Sequence, residues 1–184
     1  MSIRSAARKG FTLVEILIVV VILGILAAIV IPQFTNASEA ANASSMRTQL
    51  QTLRSQLELY QIDHNGEFPL LTDFTTGANG TPWDVLTVRH NVDPSDGRPT
   101  NFGAAVDETL VAAGPYIRQP ISNPFAQSAN RTTVADANTT GSAAIAFTYN
   151  EDNGDIQAVL PEQKAIDLKF INATGEDTPD IVTY

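Results

Sequence analysis

The residue most in need of a chemical partner is Glu15. It stands in the run from Phe11 to Ile31, FTLVEILIVVVILGILAAIVI, where only Thr12, Glu15 and Gly24 are neither aliphatic nor aromatic. A carboxylate placed in hydrocarbon costs about 2.5 to 3.5 kcal/mol on insertion scales, so it ordinarily faces a countercharge. No Lys or Arg occurs between Gly10 and Arg47. The chain can supply one nearby cation only: the free amine created if the backbone is cut between Gly10 and Phe11, about one helical turn before Glu15. A competing account leaves Glu15 near a membrane interface, protonated or reaching for water. The residue types permit both.

Other chemistry is sparse. His64 and His90 are the only histidines, and the chain has no cysteine, so a structural zinc set is incomplete. Exposed loop histidines are the expectation. Glu151, Asp152, Asn153 and Asp155 form an acidic loop that could hold calcium, which takes six to eight oxygen ligands. Asn153-Gly154 also reads as an ordinary hairpin turn, and the loop lacks the EF-hand register. A routine turn is therefore preferred to a calcium site. There is no Gly-x-Ser-x-Gly, phosphate loop or dinucleotide fingerprint, so no enzyme is expected. The sequons at Asn36, Asn42, Asn130, Asn138 and Asn172 are what chance gives in a chain rich in Asn, Ser and Thr.

Composition narrows the class further. With 11 Lys plus Arg against 20 Asp plus Glu, the net charge is −9, which argues against nucleic acid as a partner. Without disulfides, the fold must hold by packing.

The elements that position Glu15 follow from periodicity. As a helix, the Phe11 to Ile31 run extends about 32 Å at ~1.5 Å per residue, enough to cross a bilayer core. Arg4, Arg8 and Lys9 precede it without an acid, so the N-terminus is expected to stay cytoplasmic and the rest to be exported. A cleaved secretory signal competes, but the apolar run is too long, Glu15 interrupts it, and the nearest small-x-small pattern, Ala41-Asn42-Ala43, falls inside a continuing helix. Beyond Pro32, Met46, Leu50, Leu53, Leu57 and Tyr60 recur as a helical stripe, with Arg47, Arg54 and Glu58 outside it. Packing on the chain's own domain is expected there, rather than a coiled coil. Gly24 and Pro32 weaken the helix, so a kink or loosening is expected between them.

Asn65-Gly66 and Pro69 end the helix. Turn signals dominate Leu70 to Ala113, including Gly77, Asn79-Gly80 and Asp96-Gly97, predicting mostly loop with a short helix near Ala104 to Ala113. A Pro-rich crossing follows, from Gly114-Pro115 to Asn123-Pro124-Phe125. Ile145, Phe147 and Tyr149, then Ile156 to Leu160, predict a β-hairpin; Ile166, Leu168 and Phe170 predict a further strand.

Lys9-Gly10 followed by Phe11-Thr12-Leu13-Val14-Glu15 resembles the processing motif of type IV pilins and type II secretion pseudopilins. The likeness runs strongly through Phe34, including Ala28, Pro32 and Phe34, and more loosely to Pro69. The helix exit and the Pro115 to Phe125 segment resemble the major pseudopilin. The resemblance implies that a prepilin peptidase cuts between Gly10 and Phe11 and methylates the Phe11 amine. It also implies that Glu15 pairs with the amine of a neighbouring copy during assembly, and that the Gly24 to Pro32 region extends or melts in the filament.

The fold it implies is pilin-like α+β, a long N-terminal helix packed on a small antiparallel sheet. The expected segments are a leader 1–10, a transmembrane half-helix 11–31, an amphipathic half-helix 32–64, a variable region 65–113, and a crossing with sheet 114–184. The implied partners are further copies, minor pseudopilins, the peptidase and an inner-membrane assembly platform. The implied place is the inner membrane, single-pass, with the domain in the periplasm. A type II secretion pseudopilus subunit is the expectation; a type IV pilin and, from another class, a tethered periplasmic binding module are the alternatives.

Overall fold

The structure, a computed structural model, describes residues 10–77, 81–139, 142–168 and 181–183. The leader residues before Gly10, the Asn79-Gly80 turn, Phe170 and Asn172 lie outside the described residues. Two compact units are present, one ending at Ala41 and the other beginning at Asn42.

Helix α1 covers Leu13–Asp63. Thr12 starts it: its hydroxyl accepts the Glu15 N–H at 3.2 Å and its carbonyl accepts the Ile16 N–H at 3.3 Å. A Thr hydroxyl that takes a first-turn N–H is an N-cap. The helix closes on Asn65, whose φ of 57° is left-handed, while the Gly66 N–H reaches back to the Gln61 carbonyl at 2.8 Å. That backward bond satisfies a carbonyl the helix end would otherwise leave bare.

In the second unit, Ala43, Met46, Leu50, Leu53, Leu57 and Tyr60 are all buried, so the stripe found in the sequence is the helix's core face. Arg47 and Arg54 flank it and point guanidinium groups into the domain. Arg47 Nη2 donates to the Leu168 carbonyl and Arg54 Nη2 to the Ile156 carbonyl, at 3.3 and 2.7 Å.

After α2 (Leu71–Thr75) and α3 (Asp84–Thr87), strands β1 (His90–Val92), β2 (Pro99–Thr100) and β3 (Ala112–Ala113) form an antiparallel sheet in the order β2-β1-β3. The expectation of a mostly loop segment with a helix at Ala104 to Ala113 is thus corrected. Only a single 3-10 turn, Gly103–Ala105, forms there. The backbone donors a helix would use are taken by side chains: Asn91 Oδ1 accepts the Asp107 N–H, and Asp107 Oδ1 accepts the Thr109 N–H. Asn and Asp compete with helices in just this way.

The second sheet, β4-β5-β6-β7, is built on the predicted hairpin. Strands β5 (Phe147–Tyr149) and β6 (Ile156–Leu160) pair antiparallel, with Thr148 opposite Gln157. Its edges differ from the plain antiparallel expectation, since β4 (Val134–Asp136) and β7 (Ile181–Thr183) each run parallel to their neighbours. The strand expected from Ile166 and Leu168 is also corrected, because Glu162–Asp167 is helix α4. Pro161 ahead of good helix formers starts a turn in which the Ala165 N–H bonds the Pro161 carbonyl.

The Pro-rich crossing is pinned by Asn123, which is buried. Its amide donates to the Ala146 and Val159 carbonyls, at 2.8 and 2.9 Å, while its oxygen accepts the Phe125 N–H. Gly154 in the β5–β6 turn has φ +70°, and a side chain there would press into the Phe68 ring. The turn therefore needs glycine twice over, for conformation and for space.

Candidate assembly and processing segment

The peptide bond between Gly10 and Phe11 lies just outside the helix. Both residues are exposed, and among the described residues no atom beyond the chain neighbours comes within 4 Å of the position a Gly10 side chain would take. An endopeptidase needs such an open, non-helical bond. Glu15, also exposed, sits in the first turn of α1, where the backbone N–H groups lend a partial positive charge. Its backbone is capped by Thr12. Among the described residues no cation pairs with its carboxylate.

This first-turn placement went unread in the sequence, although Thr12-x-x-Glu15 has the spacing of a capping box. The capped group is the Glu15 backbone N–H, and the Glu15 carboxylate gains from the partial positive charge of the helix N-terminus.

Every large apolar side chain from Phe11 to Phe34 is exposed, from 40% at Val30 to 81% at Leu13. The helix is apolar around its whole circumference and long enough to cross a membrane. An isolated soluble chain does not carry an apolar surface of this extent without a lipid or protein partner. Pro32 lies within α1 and cannot donate to the Ala28 carbonyl, while the nearby Thr35 hydroxyl donates to Ile31 at 3.2 Å. Beyond the backbone of its own helix, no described residue comes within 4 Å of where a Gly24 side chain would start. Both weak points are thus tolerated in an unbroken helix.

A family described as the prokaryotic N-terminal methylation motif matches residues 5–31. The chain carries a prepilin-type N-terminus. It is 40% identical over 62 residues to type II secretion system core protein G of Dickeya chrysanthemi, covering 34% of this chain and 40% of that protein. It is also 40% identical over 57 residues to the core protein G of Pseudomonas aeruginosa, covering 31% of this chain and 40% of the relative. A third likeness is to type IV major fimbrial protein FimA of Dichelobacter nodosus, 32% identical over 109 residues, or 57% of this chain and 64% of FimA. The chain thus spans less than half the length of these core G proteins. None of these names is that of an enzyme. No solved structure matches the chain.

The acidic loop does not gather into a cation site. Glu151 Oε2 accepts the Leu71 N–H at 3.0 Å, and Asp155 lies 3.6 Å from Arg54 and accepts from Gln157. Asn153 Oδ1 accepts the Asp155 N–H, and the Asp152 N–H is taken by Asn150. The Glu151, Asn153 and Asp155 side chains serve the turn and its neighbours. Among the described residues no group of three or more His, Cys, Asp or Glu could hold a metal.

The histidines overturn their expectation. Both are fully buried, and their Nε2 atoms are 2.9 Å apart. His64 Nδ1 bonds the Tyr60 carbonyl at 2.8 Å, and His90 Nδ1 bonds the Val88 carbonyl at 3.0 Å. Tyr60 stacks on His64 at 3.6 Å between ring centres. Burial pushes His64 down to about 4 and lowers His90 as well. Only the fold joins them, since the residue types and a separation of 26 positions carried no sign of contact.

Proposed function

We propose that this chain is the structural subunit of a type II secretion pseudopilus, a filament assembled from subunits stored in the bacterial inner membrane. The leader 1–10 is removed between Gly10 and Phe11, and the Phe11 amine is methylated. The apolar part of α1, 11–31, anchors the subunit with its N-terminus cytoplasmic and its domain periplasmic. Residues 32–64 carry the helix onto the domain formed by 65–113 and 114–184. In the filament, apolar helices of neighbouring copies pack together, with Glu15 against the methylated amine of the next copy. Gly24 and Pro32 supply the weak points that let this stretch lengthen. Prepilin peptidase, minor pseudopilins and an inner-membrane platform are the partners, and protein export is the task.

The observation that carries this reading is a methylation motif running directly into a helix whose apolar side chains are exposed on every side. A carboxylate in that stretch gains most from a countercharge when copies stand side by side. The test is mass spectrometry of the native N-terminus together with a secretion assay in a deletion strain. A start at methylated Phe11 and loss of export support the proposal; an intact Met1, or a start at Ser44, sinks it. A type IV pilin is the second reading, favoured by the longer FimA likeness. Surface fibres lost on deletion, with export intact, would select it.

A further inference from the structure

The contacts around the two histidines require more protons than a neutral pair contains. Carbonyl oxygens only accept, so the contacts to Tyr60 and Val88 each need a proton on Nδ1. The Nε2 to Nε2 contact at 2.9 Å needs one more, on either ring. Two neutral imidazoles carry two ring protons between them, one short of what three contacts need. A singly charged pair carries three and closes them all. A doubly charged pair carries four and sets two N–H groups head to head.

We propose that His64 and His90 form a single one-proton site: the pair takes up one proton, held between the two Nε2 atoms, and that proton fastens the exit of α1 to strand β1. His64 directly follows α1, and His90 is the first residue of β1. The bond therefore joins the point where the chain leaves the long helix to the three-stranded sheet.

Burial opposes charge on either ring, the carboxylates facing the pair offset part of that cost for one proton, and the charge on one ring opposes a second on the other. From α1 come Tyr60, whose ring face lies against His64, and Asp63, whose carboxylate accepts from the Tyr116 hydroxyl at 3.0 Å. From α3, Asp84 adds negative potential at His90, as Asp63 does at both rings. Burial raises the Tyr60 and Tyr116 phenols well above their ordinary range, so neither exchanges the proton. On the 93–98 turn, Asp93 and Asp96 are engaged by Ser95 and by the Arg98 N–H, and Arg98 acts on Tyr60. On the segment leading into β1, Arg89 is turned to Glu108. Phe102 closes the far side of His90, with ring centres 5.1 Å apart.

The proposal stands whether or not the chain forms a filament, and its test separates the two. The full-length chain in detergent micelles, carrying isotope-labelled histidine, shows only two imidazoles by NMR. On acidification both Nε2 resonances are expected to move together through one midpoint, each by about half the full neutral-to-cation change, because a strongly coupled pair titrates as a unit. In His90→Gln, His64 should instead pass through a complete change of its own. Two independent, complete titrations in the native chain would overturn the proposal, as would no uptake before the domain unfolds. If His90→Gln fails to fold, the native spectra decide alone.

Discussion

Two stretches of α1 meet different surroundings and are written differently. From Phe11 to Phe34 nearly every position is apolar and every large side chain is exposed. From Ala43 to Tyr60 apolar residues keep helical spacing, and those on the stripe are buried. A stripe is sufficient when the partner lies on one side; an apolar circumference is needed when the surroundings enclose the helix. The periodicity of one element therefore reports how many sides its partner covers. The two stretches should respond in opposite ways to the same kind of substitution.

The largest effect is expected at Glu15. Replacing it with Leu removes the one charge in the apolar stretch, which should ease insertion by about 2.5 to 3.5 kcal/mol. Membrane fractionation should find the variant in the inner membrane at least as well as the native chain. Filament assembly, read as cross-linked multimers of the chain in the membrane fraction, should fall more than about tenfold, in line with the loss of a buried charge pair. A variant that assembles normally would leave Glu15 only its place in the first turn of α1.

Core truncation sharpens the contrast. Leu53 is fully buried, so Leu53→Ala should cost about 2 to 5 kcal/mol and lower the melting temperature of the domain. Leu17, 54% exposed, should change that temperature little when cut to Ala. Circular dichroism of both variants in the same detergent provides the comparison. Equal losses would mean that the apolar stretch is a domain core after all.

What was legible follows the same division. The stripe, the β5–β6 hairpin and the Asn65-Gly66 helix exit could be read because each is local: spacing, alternation and turn chemistry act within a few residues. The prepilin motif could be read for the same reason. The histidine pair could not, because α1 and β1 bring together residues whose neighbours give no hint of burial. The small sheet around β1 was hidden by strands only two or three residues long, too short for alternation to register. Ile166 and Leu168 showed alternation without a strand, because a two-residue apolar spacing is brief enough to fit one helical turn beside Ala165. Asn123 looked like part of a turn, and its amide became the clamp between crossing and sheet.

The domain should also respond to pH through its two buried histidines. His64, with an ordinary value of 6.5, is lowered to about 4 by burial, and His90 is lowered too. Above pH 6.5 both folded and unfolded states hold neutral rings, and stability from this source is fully present. As pH falls from 6.5 toward 4 the two separate rings of the unfolded chain each take up a proton, whereas the folded pair takes up a single one and only lower in that window. Stability therefore declines even though that proton completes the contact between the rings. Melting temperatures across that window should fall for the native chain and fall less for His64→Phe. An equal slope in both would assign the decline to carboxylates instead.

The smallest effects separate two arginines. Arg89 forms a two-pronged pair with Glu108, at 2.6 and 3.0 Å, yet both side chains are open to water. Solvent screens such a pair and its side chains lose rotamer freedom in holding it, so Glu108→Gln should leave the melting temperature unchanged within error. Arg54 has the less regular carboxylate contact, 3.6 Å from Asp155, but its Nη2 also bonds the Ile156 carbonyl on β6. Removing a charged donor from a half-buried carbonyl costs about 1.5 to 3 kcal/mol, so Arg54→Met should lower the melting temperature measurably. If Glu108→Gln proved the more damaging, surface charge pairing rather than attachment of α1 to the sheet would be what holds this domain together.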